Sequence, residues 1–276
     1  MIDEKIARKL KEKYNPEGSQ LRKGQLRMVE MLEFIDTVCK ENNINYWLSF
    51  GTLLGAVRHG DFIPWDDDTD ICMPLEDLNK FKKVMLNSNP SDEFILQCRE
   101  TDEGYCRSQW AVLRDLKSRY SQGNNFHNLL KYQGLQVDIF PVEYGVSLKM
   151  KKISDFIQKK MIMNPLLSNR WIYRPLKPFR NIIWSGLNNV FIPFCRKYLR
   201  DKNKNLLCTS YGVDIPFVHI GEKDDIFPLT RVKFATSYFN APHDYDGYLR
   251  NLYGNYEIVP NSDKIKTHYV KIEFNE

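Results

Sequence analysis

The run Asp66-Asp67-Asp68-Thr69-Asp70, held between Phe62-Ile63-Pro64-Trp65 and Ile71-Cys72-Met73, restricts this chain more than any other feature. An isolated aspartate triplet is most often a solvated turn, but a solvated turn has little reason to sit between apolar segments. In an extended strand Asp66, Asp68 and Asp70 project to one face, and Asp67 and Thr69 to the other. Neighbours at i and i+2 lie about 7 Å apart, which lets two carboxylates share a hard, oxygen-ligated cation. Without a cation they repel one another and their pKa values rise. A second apolar run, Gln136-Val137-Asp138-Ile139-Phe140, sets a lone carboxylate where burial is costly unless the charge is paired or metal-bound. Together the two runs predict a three-carboxylate metal site.

The surrounding pattern predicts how these acids are carried. Val29, Leu32, Ile35 and Val38 or Cys39 recur at helical spacing, so residues 20–40 read as an amphipathic helix stopped by Asn42-Asn43. Asn45 to Phe50 reads as a buried strand, followed by a short helical turn bracketed by Gly51 and Gly60. The acidic run continues into a second strand through Met73. Leu75, Leu78, Phe81 and Met85 then mark a helix, and Phe94 to Cys98, Trp110 to Asp115 and Gln136 to Phe140 are further strands. Strands and helices in this order predict an α+β fold, with a mixed sheet core flanked by helices and a basic helical insertion at about 147–206.

The net charge of +5 conceals an asymmetry. From Lys149 to Lys204 there are 14 Lys and Arg against Asp155 and Asp201, or 14 − 2 = +12, so the remainder carries 5 − 12 = −7. Trp171, Tyr173, Phe179 and Trp184 are interleaved with that charge. This suits a solvated helical face or a membrane-surface element. No recognition motif accompanies the charge, so no nucleic-acid partner is expected. The six cysteines form no Cys-x-x-Cys pair and read as reduced thiols. The opening residues lack the apolar run of a secretory signal. The longest apolar stretch, 182–194, is broken by Ser185, Asn188 and Asn189 and is shorter than the ~20 residues that span a bilayer. The expectation is a cytoplasmic protein, peripheral on the inner face of the membrane through the basic insertion.

Gly51-Thr52 falls at a strand-to-helix turn, where small residues let backbone N–H groups and a hydroxyl approach a phosphate. Gly-Thr followed by Asp-x-Asp, with a third Asp on a later strand, resembles the nucleotidyltransferase-fold superfamily. The whole segment LSFGTLLGAVRHGDFIPWDDDTDICMP, from Leu48 to Pro74, resembles the signature of the LicD family, which includes fukutin and fukutin-related protein. WAVLRD, VDIFPV, the segment Asn240 to Pro260 and His268 resemble it too. The resemblance leaves out the N-terminal helix and the basic insertion, and it implies one catalytic domain over residues 1–276.

That resemblance implies metal-dependent transfer of phosphocholine, phosphoethanolamine or ribitol phosphate from a CDP-activated donor, with release of CMP. The acceptor would be a sugar of a cell-surface glycan or of its lipid-linked precursor. Asp68 and Asp70 would be paired ligands for Mg²⁺, or Mn²⁺ in its place, with Asp138 the third carboxylate and Asp66 a further ligand or orienting group. Gly51 and Thr52 would line the donor phosphates. Arg58 and Arg114 match positions for basic groups near the pyrophosphate, although Arg114 is followed by DLKSRY rather than the more usual Asn/Asp-Thr segment. His59 would hold a phosphate or cap the short helix. Asp138 is the first choice for general base and His268 the second, since His titrates near neutrality. Two other readings stay open: an Asp-x-Asp glycosyltransferase using a nucleotide-sugar, and a non-enzymatic membrane-surface binding protein.

Overall fold

The Ser19 hydroxyl accepts the Arg22 N–H at 3.1 Å and so caps the helix that the apolar spacing predicts. In the computed structural model, which describes residues 4–121, 129–164, 170–203, 205–259 and 271–274, this is α2 (Gln20–Glu41), preceded by α1 (Glu4–Tyr14). The buried face of α2 carries Met28, Val29, Leu32, Ile35, Val38 and Cys39, and the helix stops at Asn42. β1 (Trp47–Leu48) is shorter than the predicted strand. The Ser49 N–H still donates to the Asp70 carbonyl, but Phe50 then takes φ 46° and opens α3 (Phe50–His59). The helical segment expected between Gly51 and Gly60 is this ten-residue helix, closed by Gly60 at φ 67°, where the left-handed conformation favours glycine.

β2 (Thr69–Pro74) also begins later than the sequence pattern suggests. The Asp66 N–H donates to the Ile63 carbonyl at 2.9 Å, so the first three acids approach the sheet from a turn and only Asp70 is on the strand. The chain continues through α4 (Leu75–Ser88), β3 (Phe94–Gln97), β4 (Ala111–Asp115), β5 (Ser118–Ser121) and β6 (Gln136–Tyr144). The basic segment is helical, as expected. It comprises α5 (Leu148–Ile157), a π-helical turn over Gln158–Ile162, α6 (Arg170–Ser185), a second π-helical turn over Gly186–Phe191, and α7 (Ile192–Tyr198). Then follow β7 (Leu206–Thr209), β8 (His219–Glu222), α8 (Lys223–Ile226), β9 (Thr230–Phe234), β10 (Ser237–Ala241), α9 (Tyr245–Tyr253) and β11 (Lys271–Phe274). Of these, β5 and β7 to β11 are only four or five residues long and lie outside the predicted strands.

The fold is α+β. Among the described residues the main sheet has seven strands, in the order β1-β2-β6-β4-β3, with β7 and β8 attached through β6. β2 and β6 are parallel; the other pairs are antiparallel. β4 pairs with β6 from Gln136 to Ile139, and β7 pairs with it from Val142 to Tyr144, so the basic segment returns to the sheet centre. Two small ladders, β9–β10 and β5–β11, lie outside it.

Alternation along the central strands separates the two faces. Ile71, Met73, Leu113, Val137 and Ile139 are completely buried in the main apolar core, to which α2 and α4 contribute Leu32, Ile35, Leu78 and Phe81. Asp70, Val112, Arg114, Gln136, Asp138 and Phe140 occupy the alternate positions and face a cavity instead. A smaller cluster around Ile162, Leu187, Ile192 and Cys195 seats the basic segment against Cys106, Cys208 and Tyr211. All six cysteines are buried and free. No helix among the described residues is long and apolar enough to cross a membrane.

Candidate functional site

The cavity on this face measures ≈ 440 Å³, within the range of small-molecule sites. Its acidic side is formed by Asp66, Asp68, Asp70 and Asp138. β2 and β6 place Asp70 and Asp138 in direct register, and the turn before β2 brings in Asp68. Carboxylate oxygens of Asp68, Asp70 and Asp138 lie within 4.8 Å of one another, and a second such group joins Asp66, Asp67 and Asp68. Burial raises the pKa values of Asp68 and Asp70 well above the usual carboxylate range, and like charge adds to it, from Asp70 first for Asp68 and from Asp138 first for Asp70. Burial, with help from Asp67, pushes Asp66 up to about 7. Burial raises Asp138 as well, against the pull of Arg107 and Arg114. An all-oxygen donor set under this repulsion suits a hard divalent cation.

Hydrogen bonds hold the acids in place. The Thr52 hydroxyl accepts the Asp70 N–H at 2.8 Å, and Thr69 Oγ1 donates to the Gln136 carbonyl at 3.2 Å. From α2, Gln25 Nε2 donates to the Asp66 carbonyl at 2.9 Å. Asp67 lies in the turn before β2 and not on the strand, and its Oδ2 accepts the Tyr120 hydroxyl at 2.7 Å. Asp138 accepts from Trp110 Nε1 at 3.0 Å and from Gln136 Nε2 at 2.8 Å. Gly51 lines the cavity at the start of α3; a Cβ there would lie 2.8 Å from Asp66 Oδ2, so the carboxylate reaches the helix only because the side chain is absent.

The opposite side of the cavity is basic. Arg107 lies over the Trp110 ring at 3.8 Å from its centroid. Arg114 donates to Gln97 Oε1 at 2.8 Å and to the Gly134 carbonyl at 2.9 Å, and burial lowers it to about 10, so it stays charged at neutral pH. Arg180, 2 % exposed, reaches in from α6 and donates to the Tyr173 hydroxyl at 2.7 Å. An aromatic wall adjoins these groups: Phe50 stacks on Phe217 at 5.1 Å and meets Phe140 edge-on at 5.2 Å, and Tyr253 meets Phe217 at 5.2 Å.

Of the residues that the sequence nominated, Gly51, Asp66, Asp68, Asp70, Arg114 and Asp138 line this cavity. Thr52, Arg58 and His59 do not. Thr52 is buried beneath Asp70, and Arg58 donates to the Tyr256 and Ile258 carbonyls at 2.8 and 3.4 Å, bracing the segment after α9. His59 Nε2 accepts the Arg58 Nε–H at 3.0 Å at the last turn of α3. His268 lies outside the described residues. In and after α9, Tyr248 and Tyr256 are core and Tyr253 reaches the cavity. Sequence reasoning missed Gln25, Arg107, Trp110, Gln136 and Arg180 as site residues. Period-2 alternation in WAVLRD and QVDIF carries the signal for Trp110 and Gln136, and a glutamine inside an apolar helix face carries it for Gln25. Arg180 has no local signal.

A family model described as the LicD/FKTN/FKRP nucleotidyltransferase domain matches residues 43–188. It covers β1 to β6 and continues through α6, so it takes in Arg180 as well as the acids. The lipopolysaccharide cholinephosphotransferase LicD of Haemophilus influenzae is similar over 263 residues at 23% identity, covering 91% of this chain and 96% of that protein. Human ribitol 5-phosphate transferase FKRP is 42% identical over 55 residues, 20% of this chain and 11% of that protein. Mannosyltransferase regulator 4 of Saccharomyces cerevisiae is 41% identical over 54 residues, 20% of this chain and 5% of that protein.

Proposed function

The chain belongs to the LicD/FKTN/FKRP family of nucleotidyltransferase domains, and on that premise we propose that it transfers a phospho-alcohol from a CDP-activated donor to a sugar hydroxyl of a glycan or its lipid-linked precursor, releasing CMP. The observation that carries the reading is the meeting of Asp68, Asp70 and Asp138 within 4.8 Å in a cavity that also holds Arg107, Arg114 and Arg180. A diphosphate-linked donor presents negative charge that must be neutralised before an alcohol attacks phosphorus.

Asp68, Asp70 and Asp138 would hold Mg²⁺, or Mn²⁺ in its place. Such an ion supplies charge neutralisation at phosphorus and at departing CMP, and lowers the pKa of the incoming hydroxyl. The chain supplies the rest. Arg107, Arg114 and Arg180 offer planar N–H donors to the phosphate oxygens, a geometry suited to Arg rather than Lys. Phe50, Phe217 and Tyr253 supply ring faces for the nucleobase. Trp110 and Gln136 fix the Asp138 carboxylate toward Asp70. Because Asp138 already accepts two hydrogen bonds, we assign the proton of the incoming hydroxyl to Asp66, whose carboxylate lines the cavity beside Gly51 and is pushed by burial up to about 7.

The test is a panel of CDP-choline, CDP-ethanolamine, CDP-ribitol and CDP-glycerol with Mg²⁺, scored by CMP release. One donor should turn over, and the product should gain the mass of its phospho-alcohol. A hexose increment from a nucleotide-sugar would overturn the assignment in favour of a glycosyltransferase.

A further inference from the structure

The basic segment has two faces, and the cavity uses only the inner one. Inward, Arg180 and Met163 line the cavity, while Leu187, Ile192 and Cys195 pack in the second cluster. Outward, Trp171 is 84 % exposed, Phe179 61 %, Ile182 69 %, Val190 67 % and Phe194 51 %. Single exposed apolar side chains are ordinary. These recur at the three-, four- and eight-residue intervals of one helix stripe. The π-helical turn over Gly186–Phe191 carries the stripe from α6 into α7.

The segment itself is strongly cationic, and among the described residues only Lys177, Lys159 and Arg196 of it are paired from outside, with Glu103, Asp214 and Glu143. Lys152, Lys160, Arg174 and Lys197 of the same segment are exposed. Between Leu148 and Arg200 the sole acidic residue is Asp155, whose carboxylate is 2.8 Å from Lys151 Nζ. A second copy of the chain seated here would oppose two cationic faces. Anionic lipid headgroups supply the missing charge, and aromatic rings beside long cationic stems suit the boundary between headgroups and acyl chains.

We propose that this face docks the chain on an anionic lipid bilayer, with α6 lying in the headgroup plane and Arg180 turned from it into the cavity. The helix that meets the lipid is then the helix that lines the site, which brings the cavity to the membrane surface. The inference rests on exposed side chains and charge, and binding is read without donor or acceptor, so its failure is separable from failure of the proposed chemistry.

The experiment is sedimentation of the full chain with extruded vesicles of phosphatidylcholine alone or mixed with phosphatidylglycerol. Binding is expected to the anionic vesicles, and added salt should weaken it. The triple substitution Trp171→Glu, Phe179→Glu, Ile182→Glu should lower it roughly tenfold or more. Lys152→Glu with Lys160→Glu and Arg174→Glu should lower it with circular dichroism unchanged. Failure to bind either vesicle, or binding indifferent to both sets of substitutions, overturns the proposal. Sedimentation velocity is the second measurement. A dimer dispersed by the apolar triple would give the face to a second copy and also overturn it.

Discussion

Asp70 and Asp138 stand opposite one another on adjacent parallel strands, and Trp110, immediately before the strand on the far side of β6, donates to the second of them at 3.0 Å. This pair anchors the acidic cluster to the most buried part of the sheet. Replacing Asp70 or Asp138 by Asn should cut CMP release by roughly 10²–10³-fold, the usual effect of removing one electrostatic member of a site. Trp110→Phe keeps the ring and removes one hydrogen bond to Asp138, which costs about 1–2 kcal/mol, or roughly tenfold. Steady-state kinetics on the accepted donor checks both values. Equal activity of Asp138→Asn and wild type would show that the pair is structural only.

Repulsion within the cluster is a stability term as well as a binding one. Asp68 is held far above its ordinary pKa by burial and by Asp70. Asp68→Asn should therefore raise the melting temperature of chelator-treated protein, by ~2–4 °C for each kcal/mol of relieved strain. The same substitution should abolish the upward shift that Mg²⁺ gives the wild type. Differential scanning fluorimetry with and without Mg²⁺ reads both; a wild type insensitive to Mg²⁺ and Mn²⁺ would remove the cation from the mechanism.

Gly51→Ala separates activity from stability. Alanine is favoured over glycine in a helix by about 1 kcal/mol. Its Cβ would meet Asp66 Oδ2 at 2.8 Å and displace the carboxylate. The variant should fold with little net change in melting temperature and lose roughly tenfold or more in turnover. Unchanged turnover would take Asp66 out of the reaction.

Arg180 tests whether the basic segment belongs to the site. Arg180→Ala should raise the donor KM roughly tenfold while changing kcat less, the pattern expected for charge contacts made in ground and transition states alike. Arg180→Lys should recover only part of the loss, because a point charge replaces a planar fork that also meets the Tyr173 hydroxyl. A loss confined to kcat would mean that Arg180 acts on the transition state instead.

His59 gives a pH dependence of known sign. Burial, with the Arg58 guanidinium beside it, pushes this imidazole from 6.5 down to about 4. A His with a depressed folded pKa stabilises the fold fully above its unfolded value and loses that contribution as pH falls through the folded one. Stability from urea unfolding should fall between about pH 6.5 and pH 4, and His59→Gln should flatten that slope. An identical pH profile in the variant would place the acid sensitivity elsewhere.

Much of the site was legible in sequence because a charge in an apolar run is costly and therefore informative. Asp138 between Val137 and Ile139, and Asp68 and Asp70 before Ile71, carried that signal without help. α2, α4, β3, β4 and β6 were readable from periodicity for the same reason: one face must be buried. Proximity along the chain was a poorer guide. Thr52, Arg58 and His59 stand within the Leu48–Pro74 segment, yet one serves the Asp70 backbone and another the carbonyls after α9.

Sequence by itself determined which residues share a face, since the period of a strand or helix is local geometry. Strand period accounts in the same way for Asp70 and Asp138 facing one side of the sheet, whereas the turn before β2 brings in Asp66 and Asp68. Only the tertiary structure decided what they would face. Arg180 reaches the cavity from a helix beyond β6, Gln25 holds Asp66 from a helix before β1, and Phe50 turns the chain at φ 46° where a longer strand was expected. Those meetings depend on how whole elements pack, and packing answers to the sum of many weak contacts that no single segment records.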